Sequence, residues 1–145
     1  MTLSEFVNTM SFGILMGVRN DNVTTESMTE KYANNFFFLP RVYCKDGFNI
    51  SIQVNNRNYC ASENGTREFG VNWKEVEWGF PSERIDGEKY NAEEYHWNED
   101  CDTRNTVGGY VSVELLDELL NEHGGIDLQK TLTEHLAMHD KRNNK

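Results

Sequence analysis

The sequence predicts an α+β domain, an antiparallel β-sheet followed by a C-terminal helical hairpin. Three observations carry that prediction. Phe48, Ile50, Ile52 and Val54 alternate with Asn49, Ser51 and Gln53, the period of two expected of a strand with one apolar and one polar face. Asp46-Gly47 precedes that run, a dipeptide that favours a two-residue type I′ hairpin turn. From Val113 the period becomes helical, with Leu116, Leu119 and Leu120 on the same stripe. Strands first and helices last is the segregated order of α+β chains.

The elements follow in turn. Leu3, Phe6, Val7, Met10 and Leu15 fall loosely at helical spacing and predict a short helix over 1–16, and the polar stretch 19–35 reads as a loop. Residues 36–54 form the hairpin and 55–70 a loop. Residues 71–80 form a third strand, with Val76, Trp78 and Phe80 sharing a face. Residues 82–105 are irregular, with seven acidic residues from Asp86 to Asp102. Residues 106–113 make a fourth strand, loosened by Gly108-Gly109, which closes a sheet spanning 36–114. Ser112 is placed to cap the first C-terminal helix and Gly124-Gly125 to stop it. Asp127 caps the second, with Leu128, Leu132 and Leu136 in line, so that two helices occupy 112–142. That narrow leucine stripe reads equally as core or as the seam of a dimer.

At 145 residues the chain is the size of one domain, 1–145, and 37% hydrophobic with 26% charged residues suits a folded protein. No run approaches the roughly 20 apolar residues of a membrane span. The apolar run Phe12–Val18 lacks the basic flank and cleavage site of a leader, so a cytoplasmic protein is expected. Three cysteines without close pairing argue against a disulfide framework. The net charge of −10 disfavours double-stranded nucleic acid, whose phosphates call for many Lys and Arg contacts. Fields are screened over about 8 Å, so a few local arginines still suit a small anionic ligand.

His135 and His139 share a helical face, but Glu134 precedes the first histidine and HExxH is absent. With Lys141 and Arg142 they lie near a helix C-terminus, where positive charge suits the dipole, and no metal or cofactor is expected. GxSxG, P-loop and dinucleotide motifs are all missing, and a non-enzyme is expected.

The stretch Trp78-Gly79-Phe80-Pro81-Ser82 carries the most chemistry. Gly79 offers bare backbone, Phe80 an aromatic face for a base, Pro81 a fixed turn and Ser82 a hydroxyl for a phosphate or ribose. Gly108-Gly109 offers a second bare backbone, and Arg57, Arg67, Arg84 and Arg104 lie in loops where guanidinium forks suit phosphates. From these residues alone, an ordinary strand end with a core phenylalanine and solvated arginines stands beside that reading.

The ordered series SIQV (51–54), Tyr59-Cys60, VEWGFPS (76–82) and TVGGYVSVE (106–114), running into a helix that ends EHGG (122–125), resembles the Thoeris anti-defence sponge proteins of the first type, a phage family. The resemblance covers about residues 41–127 and leaves 1–35 outside as an N-terminal extension. It departs from the family pattern at Gly108, where an aromatic is expected, at Ser112, where a proline is expected, and after Cys60, where a proline-arginine is missing. It implies a protein that is not an enzyme. Such a protein sequesters intact the cyclic nucleotide signals of bacterial immune systems (Thoeris, CBASS), namely cyclic ADP-ribose isomers or cyclic di- and trinucleotides, in the host cytoplasm. It also implies a homodimer formed through a helix, open to further assembly, with pockets at the interface. Phe80 and Pro81 would then form an adenine platform with Ser82 behind it. Asn91 would read a base edge, Arg104 would reach a phosphate, and Thr106 and Tyr110 would line the same pocket. Gln53, Arg57 and Tyr59 would serve that pocket or a second one. Two alternatives remain open: an acidic decoy that imitates DNA to block a defence nuclease, supported by the net charge and the acidic run, and an enzyme that degrades the same signal.

Overall fold

A computed structural model of the chain describes residues 1–20, 39–55, 58–65 and 72–143, with side chains given to Ser11 in the first helix and to Met138 in the last. It has the α+β architecture expected. Helix α1 (Leu3–Asn20) is followed by strands β1 (Val42–Tyr43), β2 (Asn49–Gln53), β3 (Ala61–Ser62), β4 (Trp73–Gly79) and β5 (Val107–Ser112), then helices α2 (Val113–Glu122) and α3 (Leu128–Asn143). All strand pairings are antiparallel. β4 is the central strand. β5 runs along one side of it, and β2 and β3 lie end to end along the other, because β2 pairs at Glu77–Gly79 and β3 at Trp73 and Glu75.

Alternation sorts the sheet into two faces. Ile50, Ile52, Val76, Trp78 and Val111 point into the core, where Leu3, Phe6 and Val7 of α1 and Leu116, Leu119 and Leu120 of α2 cover them. The N-terminal segment is therefore part of the core. Thr2 accepts the Glu5 amide at 3.1 Å and donates to its carboxylate at 3.2 Å, a capping arrangement, while Asp117 of α2 accepts the Leu3 amide at 2.8 Å. The other face carries Ser51, Gln53, Glu75 and Glu77.

The hairpin turn differs from the type I′ expectation. The Cys44 amide donates to the Phe48 carbonyl at 2.7 Å, the Gly47 amide donates to the Cys44 carbonyl, and of the turn residues Gly47 has the positive φ, at 99°. A type I′ turn needs two such residues, so this is a three-residue loop with a bulge at Gly47. The loop is fastened to the end of α2: Asp46 meets His123 Nδ1 at 2.7 Å and the imidazole stacks on Phe48 with centroids 4.0 Å apart. The Phe48 amide, then His123, hold the Asp46 carboxyl below its usual range.

Both C-terminal helices are present. Ser112 occupies the expected cap position of α2, but its side chain makes no capping hydrogen bond. Asp127 does cap α3, accepting the Lys130 amide at 3.1 Å. α3 docks on β1, where buried Thr131 accepts the Tyr43 amide at 3.0 Å and the Asp127 amide donates to the Tyr43 carbonyl at 2.7 Å. Those bonds cover the sheet edge that a two-residue strand would otherwise leave open. Among the described residues no helix is long and apolar enough to cross a membrane. Cys44, Cys60 and Cys101 are free thiols, and burial pushes the Cys44 thiol up to about 12.

Candidate functional site

The strand pattern assigns Phe80 to the core face with Val76 and Trp78, and here the structure departs from it. Pairing of β4 ends at Gly79, Phe80 takes a left-handed backbone with φ 50°, and its ring is 52% exposed while Trp78 is 1% exposed. The Phe80 amide donates to the Thr106 carbonyl at 3.1 Å, and its own carbonyl accepts the Arg41 guanidinium. Pro81 is fully buried and Thr106 nearly so, which makes both parts of the turn's foundation rather than a ligand-facing surface. Ser82 extends the pairing beyond the turn. Its amide donates to the Asn49 carbonyl at 2.8 Å and its hydroxyl oxygen accepts the Asn49 amide at 3.0 Å.

A second group gathers at the middle of β5. Between the Val76–Val111 and Trp78–Gly108 pairs the strand bulges, placing Gly109 and Tyr110 opposite Glu77. Tyr110 has φ 52° and a half-exposed ring, and its amide donates to the Tyr59 carbonyl at 2.8 Å. The Tyr59 and Tyr110 rings lie 5.8 Å apart with a 35° tilt, within the range for paired aromatics. Glu77 holds the crossing loop, accepting the Tyr59 amide at 2.8 Å and the Asn58 amide group at 3.1 Å. Asn91, also left-handed at φ 55°, donates from Nδ2 to the Gly109 carbonyl at 2.8 Å. That bond fixes the amide and uses one of its two N–H donors, leaving the other and Oδ1 for a base edge.

The two glycines of β5 have a role other than the one the sequence suggests. A Cβ on Gly108 would lie 2.6 Å from Trp78 Cζ2, with two further indole atoms closer still, and one on Gly109 would lie 2.5 Å from Tyr59 Cβ. Their bare backbones are covered by Trp78 and Tyr59, and Gly79 is itself buried against Val107. Close packing within the protein, not ligand approach, requires glycine at Gly108 and Gly109.

The remaining candidates separate. Gln53 spends its amide on the Leu39 backbone, accepting its N–H at 2.9 Å and donating to its carbonyl at 3.0 Å. Arg104 is held in a two-pronged pair with Asp102 at 2.9 and 2.7 Å, and Arg84 approaches the same carboxylate at 3.6 Å. Arg57 and Arg67, and the side chain of His139, lie outside the described residues. A surface cavity of about 290 Å³ lined by Arg84, Tyr95, Glu99, Asp100 and Cys101 includes Arg84 of the four loop arginines but none of the residues the resemblance assigns to a pocket. Among the described residues no group of three metal-binding side chains is assembled.

Arg104 above all, with Arg84, holds the Asp102 carboxyl down to about 2. The unfolded value is about 3.9, so this pair stabilises fully above pH 4 and its contribution is lost as pH falls towards 2. Asp102→Asn is expected to unfold at lower urea than the wild type at pH 7, with the gap closing as pH falls from about 4 to about 2. A gap unchanged over that range would mean the ion pair is not its source.

The sequence reading missed Arg41. Its Nε donates to Asn49 Oδ1 at 2.7 Å, placing a guanidinium directly under the Phe80 turn. Comparison with known families, curated proteins and solved structures finds no match to this chain.

Proposed function

We propose that this protein captures a cyclic nucleotide signal and holds it intact, as the phage anti-defence sponges do. One observation carries the reading: Phe80, Asn91 and Tyr110 are left-handed without being glycine, and two of them are bulky aromatics with half-exposed rings. Such conformations cost energy and cluster at binding sites, where surrounding structure holds them in place. An exposed aromatic face suits a flat base, and a stacked base contributes about 1–3 kcal/mol. Phe80 is one platform and the Tyr59–Tyr110 pair the other.

Sequestration at signalling concentrations requires a dissociation constant near nanomolar, roughly −12 kcal/mol, beyond an open aromatic surface. A second copy of the chain closes the site. Leu136 and Met138 of α3, 60% and 42% exposed, supply apolar surface for a homodimer through that helix, which further assembly would extend. The protein acts in the host cytoplasm.

The test is direct. The purified protein is mixed with cyclic ADP-ribose isomers and cyclic di- and trinucleotides, unbound ligand is removed, and the protein is heat-denatured. Mass spectrometry of the released material is expected to return one ligand class with its mass unchanged. An altered mass would mean turnover. A panel left wholly in solution would overturn the proposal in favour of the acidic decoy.

A further inference from the structure

Three arginines are described with their side-chain partners, and one is unlike the others. Arg84 and Arg104 share the Asp102 carboxylate. Arg41 has neutral partners: Nε on Asn49 Oδ1, and Nη2 on the carbonyls of Asn49 and Phe80. It makes no ion pair with a carboxylate among the described residues, and neither N–H of Nη1 is engaged there. The guanidinium is half-buried, and that desolvation lowers its proton affinity. A cation drawn partly out of water without a counter-ion is unfavourable, and an anion accepting from Nη1 would complete it. Its orientation is already fixed, since Asn49 and Phe80 hold Nε and Nη2 and leave the two N–H groups of Nη1 open.

We infer that Arg41 is the anion-binding residue of the Phe80 turn and takes a phosphate or pyrophosphate group of the ligand. The inference deepens the cyclic-nucleotide reading and rests on it for the ligand's identity, but the anion site is testable alone. Arg41 replaces Arg104 in that role, because Arg104 is neutralised by Asp102. A phosphate bound there would sit beside the ring that stacks the base, the arrangement a nucleotide presents.

Sodium pyrophosphate serves as the probe for the wild-type protein, followed through the arginine side-chain NH resonances at constant ionic strength. The Arg41 Nε–H signal is expected to shift saturably and that of Arg104 to stay in place. A saturable shift at Arg104 alone, or none at Arg41, overturns the inference. With the nucleotide recovered from the capture experiment, Arg41→Gln is expected to bind roughly 10- to 100-fold more weakly, the worth of a hydrogen bond to a charged group. Arg41→Lys, which keeps the charge without the fork, should fall between. Unchanged affinity in Arg41→Gln would also overturn the inference. If every cyclic nucleotide stays free while pyrophosphate still moves Arg41, the anion site stands and the sponge reading falls.

Discussion

Gly108→Ala is expected to weaken the fold by about 3 kcal/mol, the upper end of the range for forcing atoms into a packed core. Against a total stability of about 5–15 kcal/mol, that brings the protein close to unfolding at room temperature. The cause lies in Trp78. Its indole is fully buried and donates through Nε1 to the Tyr90 carbonyl at 2.7 Å, so it is fixed both by packing and by a bond that fastens the 86–93 segment to the sheet. The added methyl would overlap three indole atoms at once. Either the ring moves and leaves a buried N–H unsatisfied, or β5 peels away from β4. Gly47→Ala is the control. It has a positive φ but open space around its Cβ position, so its loss reflects backbone strain alone and should be smaller. Urea titration of the three proteins decides it. A Gly108→Ala midpoint equal to or above that of Gly47→Ala would mean the indole has room to yield. Trp78 lies near the end of β4, two residues before Phe80, so a shifted ring should also disturb the aromatic turn.

The elements that local pattern could reveal are those set by local physics. The alternation in β2, the leucine stripe of α2 and the Asp127 cap depend on residues within a turn or two of each other, and each is present as read. The hairpin turn is not fixed by its own residues, because Asp-Gly serves two loop lengths. The choice was made by the Cys44–Phe48 pairing, in a strand whose edge is held by Thr131 and Asp127 far along the chain. β3, two residues long, is too short to carry any periodicity. Phe80 leaves the face its alternation predicts for a related reason: alternation reports which face a residue takes while pairing continues, and contains nothing about where pairing stops. The arginines show the same division. The partner of Arg104 stands two residues before it, a local acidic neighbour that argues for a structural ion pair. The partners of Arg41 stand 8 and 39 residues away, so its placement under Phe80 appears only in the folded chain.

Phe80→Gly is expected to be more stable than Phe80→Ala by about 1 kcal/mol, and both are expected to lose the captured nucleotide by roughly 10- to 100-fold. The two variants remove the same ring, so their difference isolates the backbone. In a strand or helix, alanine is favoured over glycine by about 0.5–1 kcal/mol. At φ 50° the order reverses, because a Cβ there crowds the following carbonyl while glycine meets no such penalty. Alanine equal to or above glycine in urea stability would mean that the turn is not left-handed in solution. Full affinity in both variants would remove Phe80 from the site and leave Tyr59 and Tyr110 as the platform. The same pair of substitutions at Tyr110, φ 52°, should repeat the pattern. A chain that needed only to end β4 and bulge β5 would be better served by glycine at both positions. Keeping a phenylalanine and a tyrosine there, left-handed and half-exposed, costs stability that the Tyr59–Tyr110 contact offsets in part at Tyr110, and a base stacked on both rings is an interaction that would offset the rest.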